Sequence, residues 1–109
     1  MKDFEQMVVN VAQVLVAEAN TNGNEAGNLF GTSNIYIVAL WAACRRTSKM
    51  SLKQFKGALL ATYRGSERFE LVRCDMPEAR SLNKNLMVAS EICRDPNNSL
   101  ASAHFFRLV

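Results

Sequence analysis

Residues 35–44, IYIVALWAAC, form an unbroken apolar run in the middle of the 109-residue chain. Ten residues fall far short of the about 20 that cross a bilayer. A segment apolar on all sides must therefore be buried within a folded domain. It predicts a central helix that starts near the cap-prone residues Gly31, Thr32, Ser33 and Asn34 and carries Ile35, Val38, Ala39, Trp41 and Ala42. Arg45 and Arg46 close it, where cations suit a helix C-terminus. With 49% hydrophobic residues, one domain over residues 1–109 can bury a core without disulfides or metals. Cys44, Cys74 and Cys93 are odd in number and lack C-x-x-C spacing, which argues against a disulfide framework or a zinc site. Cys74 and Cys93 read as buried fillers on strands.

A first helix is expected over residues 3–19. Phe4, Met7, Val8, Val11, Val14, Leu15 and Ala19 recur at spacings of three and four and form one apolar stripe, read as core with some contribution to a homodimer contact through residues 3–19. Gly and Asn in residues 20–28 mark a loop. After a polar turn at residues 47–50, Ser51 opens a third helix in which Ser51 and Gln54 fit a capping box, and Gly65 ends it. Leu52, Phe55, Leu59 and Tyr63 share one face of this helix. Lys53, Gln54, Gly57, Ala61 and Arg64 share another, with Lys56 at its edge. Residues 68–75 alternate as a strand, and residues 76–85 read as a loop or short helix. Residues 86–95 and 102–109 read as a hairpin around the turn-rich 96–100, although 86–92 also fits a short helix.

This order of helix, helix, short turn, helix, strand and hairpin resembles a winged helix-turn-helix domain over about residues 33–109, preceded by an extra N-terminal helix at 1–20. The resemblance implies an α+β fold of three main helices followed by a small antiparallel sheet and wing. It also implies that the third helix enters a DNA major groove while the wing touches the backbone. No strand before the third helix is evident, and the segment between the first strand and the hairpin is long for such a domain.

Charge is polarised. Residues 1–28 carry a net −3 and residues 29–109 a net +6. From Arg45 to Arg64 there are six basic residues and no acid. A basic helix face is most often simply solvated; a twenty-residue stretch without one acid argues for an anionic partner, and a whole-chain charge of only +3 argues against it. Double-stranded DNA is the expected partner. Arg45, Arg46 and Lys49 would meet phosphates, Lys53, Gln54, Lys56 and Arg64 would face the groove, and Arg94, Asn97 and Asn98 would form the wing tip. Such a protein would be a transcriptional regulator or accessory nucleoprotein. The alternative is a protein-interaction module on the same fold, an adaptor or subunit binding an acidic or apolar protein partner; a small regulator such as an inhibitor or antitoxin is a more remote reading.

His104 lies beside Phe105 and Phe106 and reads as a strand residue with a satisfied hydrogen bond. No nucleotide, phosphate or metalloprotease motif and no nucleophile–base pair is present, so neither an enzyme nor a cofactor is expected. Acids at Asp3 and Glu5, where an export signal would be basic, predict a cytoplasmic protein, nucleoid-associated if it binds DNA.

Overall fold

A computed structural model describes residues 2–74, 82–93, 95, 97 and 102–109. The fold is α+β. In chain order the elements are α1 (Lys2–Asn22), β1 (Leu29–Phe30), β2 (Asn34–Tyr36), α2 (Ile37–Ser48), α3 (Leu52–Tyr63), β3 (Phe69–Val72), α4 (Lys84–Ser90), β4 (Ile92–Cys93), β5 (Ser102–Ala103) and β6 (Phe105–Leu108). One antiparallel sheet has the order β1-β2-β6-β3, and β4 and β5 form a separate two-stranded ribbon.

The C-terminal strand organises both cores. Successive residues of a strand point to opposite faces. In register, Ile35, Phe106 and Leu71 form one row across the sheet, and Tyr36, Phe105 and Val72 form the next. The first row joins a large core with Phe4, Val8, Leu15, Leu40, Phe55 and Leu59, so α1, α2 and α3 cover that face. The second row joins Leu82, Leu86, Met87, Val38 and Ala39, so α4 and the start of α2 cover the other. Phe105 and Phe106 are both buried, and each stacks on a ring of its own core: Phe105 on Phe30, Phe106 on Phe69.

Two expectations about the central region are corrected. Residues 31–33 do not begin the second helix. They turn the β1–β2 hairpin, with Gly31 at φ 73°, and α2 starts only at Ile37. Two short strands therefore precede α2 and α3, where none was evident. Ile35, Tyr36 and Ile37 are all buried because both faces of β2 are covered, which makes a strand indistinguishable from a buried helix by periodicity. Residues 86–92 fit either a strand or a short helix by sequence, and 86–90 are helical, joined with Lys84 and Asn85 in α4; among the described residues Ile92 and Cys93 form the first limb of the hairpin. Asn83 caps this helix by accepting from the Leu86 N–H, and the Asn83 N–H donates to the Tyr36 hydroxyl at 2.9 Å. Most of the expected loop at 76–85 and of the turn at 96–100 lies outside the described residues.

α1 extends three residues past the expected end at Ala19. Its stripe is largely core, with Phe4, Val8 and Leu15 buried. Phe4 meets Phe55 edge-on at 5.7 Å, and Glu5 and Gln6 accept from Ser66 and Arg68, which ties the start of α1 to the turn after α3. Val14 departs from the stripe and is 55% exposed. Cys44 and Cys74 are buried but Cys93 is exposed, against expectation: on a two-residue ribbon strand it faces away from the core. Asn34 Oδ1 is buried without a hydrogen-bond partner, and nothing in the structure explains it.

The N-terminus of α2 has no cap from its own N-cap residue, Tyr36. Ser90 supplies it from 52 residues away: the Val38 N–H donates to Ser90 Oγ at 2.9 Å, and Ser90 is fully buried. Ser90→Ala leaves that N–H without a partner in a dry site. It is expected to lower unfolding free energy by about 1–2 kcal/mol, measured by urea denaturation.

A candidate nucleic-acid interface on the third helix

The turn between α2 and α3 is three residues long and held from both sides. Lys49 adopts the left-handed conformation at φ 54°, and its N–H donates to the Arg45 carbonyl, closing α2. Trp41 Nε1–H donates to the Met50 carbonyl at 2.9 Å, fastening the turn to α2. Both bonds of the capping box form: Gln54 N–H donates to Ser51 Oγ, and Ser51 N–H donates to Gln54 Oε1. These contacts fix how α3 leaves the turn.

Phe55 and Leu59 bury the inner face of α3. Lys53, Gln54, Gly57, Ala61 and Arg64 are all exposed on the outer one, as the helical spacing requires. Gly57 and Ala61 form the small, flat centre of this face. Lys53 and Arg64 flank it about 16 Å apart along the axis, at 1.5 Å per residue. A Cβ added at Gly57 would meet nothing within 4 Å, so no contact inside the protein requires glycine there.

Arg45 and Arg46 are neighbours in sequence but diverge in space. The Arg45 guanidinium lies 5.0 Å from the centre of the Trp41 ring, on the side of α2 that carries the turn. Arg46 shares the outer side of α2 with the exposed Ala42 and Ala43. Lys49 is exposed at the turn. None of Arg46, Lys49, Lys53 and Arg64 has an acidic partner among the described residues, whereas Arg107 pairs with Glu70 and Arg68 binds Gln6. Unpaired positive charge is thus concentrated around α3 and the turn before it. Gln54 is exposed, but its Oε1 is committed to the capping box and only its amide protons reach outward. A bidentate contact to adenine uses both amide atoms and would break the box.

Lys56 does not join this face. It is half-buried on the flank of α3, where burial pushes its ammonium below the ordinary lysine range and the Glu91 carboxylate pulls it back up. The same carboxylate lies 3.9 Å from His104 Nε2. His104 sits between β5 and β6, and its Nδ1 accepts the Cys74 N–H at 3.2 Å. The Glu91 carboxylate thus stands beside His104 and acts on Lys56 only through its field, with no ion pair between Lys56 and Glu91 among the described residues. Sequence reading missed the influence of Glu91 on Lys56 because the two lie 35 positions apart and carry no local signal. Asn97 is exposed, with its N–H donating to Asp95 Oδ1; Arg94 and Asn98 lie outside the described residues. Burial pushes the Cys44 thiol up to about 11, so it stays protonated at neutral pH. Among the described residues no group of three or more His, Cys, Asp or Glu could hold a metal ion, and no helix is long and apolar enough to cross a membrane.

Neither protein-family models, nor curated proteins, nor solved structures give a match to this chain.

Burial is the main force holding His104 below the ordinary histidine range; Glu91 opposes it, and Arg73 and Lys56 reinforce it. The folded state therefore favours the neutral imidazole. Its stabilisation is complete above the unfolded value of 6.5 and is lost as pH falls through the lower folded value. Thermal melts are expected to show stability declining from about pH 7 to about pH 5. His104→Asn, which keeps an acceptor for the Cys74 N–H but does not titrate, should decline less over that window; equal decline would contradict the assignment.

Proposed function

We propose that the chain is a winged-helix-like DNA-binding protein, a transcriptional regulator or accessory nucleoprotein that places α3 in the major groove. The observation that carries this reading is the outer face of α3: two unpaired cations flanking a small, flat centre, next to a tightly held turn that bears further cations. The major groove, about 12 Å wide, admits a helix. Cations about 16 Å apart on that helix reach phosphates on its two sides, while Gly57 and Ala61 let the helix backbone approach base edges.

The element order supports the same reading. The strand that seemed missing before the third helix is supplied by β2, the turn between α2 and α3 has the length of a helix-turn-helix connection, and the β4–β5 ribbon stands where a wing would. In this reading Arg45 and Lys49 contact phosphate at the turn, Lys53 and Arg64 contact it from α3, and the Gln54 amide protons face guanine or thymine acceptors. Lys56, half-buried on the flank of α3, makes no base contact in this reading.

Fluorescence anisotropy with a labelled duplex tests this. Four phosphate contacts predict a log–log salt slope near −3.6, a loss of roughly a hundredfold in affinity between about 50 and about 200 mM salt. The double variant Lys53→Glu/Arg64→Glu should lose binding with an unchanged melting temperature. Undiminished binding by this variant, or none by the native chain at the lower salt, would contradict the proposal.

Gly57 gives a sharper check. Gly57→Ala should stabilise the protein by up to about 1 kcal/mol, because glycine is the poorer helix former and the added methyl meets nothing. The same methyl should weaken duplex binding if the helix backbone lies against bases. Gain in stability with full retention of affinity would show that the centre of the face is not in contact.

A further inference from the structure

The outer surface formed by α1 and α2 carries an apolar groove. The groove, of about 380 Å³, runs between these helices, lined by Asn10, Val11, Val14, Leu15, Glu18 and Ala43. Val14 is one of three large apolar side chains that are exposed among the described residues, and it lines this groove.

The two helices run in opposite directions. The end of α2 is tied through Trp41 and Met50 to the start of α3, and Phe55 in the first turn of α3 packs on Phe4 at the start of α1. The start of α2 follows β2, whose Ile35 pairs with Leu29, and Leu29 is held by Asn24 just beyond the end of α1. Glu18 therefore marks one end of the groove, with Glu25 close by on the loop after α1. Arg46, one turn beyond Ala43, marks the other. Neither Glu18 nor Arg46 has an ion-pair partner among the described residues.

We infer that this surface binds a second copy of the chain. An apolar centre with an acid at one end and a cation at the other is complementary to itself under a two-fold rotation. Turning a second copy about an axis through Val14 brings Val14 onto Val14 of the partner, Glu18 opposite the partner's Arg46, and Arg46 opposite the partner's Glu18. This surface shares Val11, Val14 and Leu15 with the stripe expected from sequence, whose Phe4 and Val8 are buried in the chain's own core, and adds Ala43 of α2. It also assigns Arg46 to the subunit contact and leaves Arg45 and Lys49 at the turn. The inference does not depend on nucleic-acid binding: a monomer that binds duplex, or a dimer that does not, separates the two.

Sedimentation equilibrium on the full chain tests it, with protein up to about 100 μM, where micromolar association is fully populated. The native chain should be dimeric, and Val14→Glu should be monomeric with unchanged helix content by circular dichroism. Glu18→Arg and Arg46→Glu should each weaken association about tenfold, because each reversal sets like charges together at both ends of the interface. The double variant Glu18→Arg/Arg46→Glu should restore it. A native monomer throughout this range, or single reversals that the double variant does not rescue, would overturn the proposal.

Discussion

β6 is buried on both of its faces, and the rest of the molecule is arranged around that burial. Phe105 and Phe106 are adjacent, so a strand sends them to opposite sides of the sheet, and neither can be left in water without forfeiting about 2–3 kcal/mol of transfer free energy. One side must be covered by the three long helices and the other by α4. Tyr36 on β2 then holds the start of α4, and Ser90 at its end caps α2. The two layers are fastened through hydrogen bonds between residues far apart in the chain, in sites where an unpaired polar group would be costly.

That arrangement leaves α3 with a single orientation. Phe55 and Leu59 are drawn into the helical core, and Trp41 with the capping box fixes how the chain enters the helix. The opposite face is then presented to solvent with Lys53 and Arg64 unpaired. A merely solvated face would commonly carry acids interleaved with its cations for the small gain such pairs give. Here the chain places its ion pairs elsewhere, Arg107 with Glu70 on the sheet, and keeps one mid-helix glycine that its own packing does not need. Retaining a poor helix former at an open position fits a face shaped for a partner that comes close.

Much of this was legible in the sequence wherever the controlling interactions are local. The apolar stripe of α1, the capping box at Ser51 and Gln54, and the division of α3 into apolar and polar faces all follow from spacings of three and four. β2 was not legible, because a strand covered on both sides reads as a continuous apolar run and merges with α2. α4 was legible only as an alternative: its cap at Asn83 is a local signal, but its amphipathic run spans barely two turns. Among the candidate site residues, the exposure of Lys53, Gln54 and Arg64 follows from helical spacing, whereas the partial burial of Lys56 depends on segments distant in the chain.

The most direct test of the central claim is a map of amide chemical-shift changes on adding a short DNA duplex to the ¹⁵N-labelled protein. The account predicts that the perturbed amides cluster at Lys49, Lys53, Gln54, Gly57, Ala61 and Arg64, with α1 silent. Perturbations confined to the α1–α2 groove, or none at low salt, would contradict it.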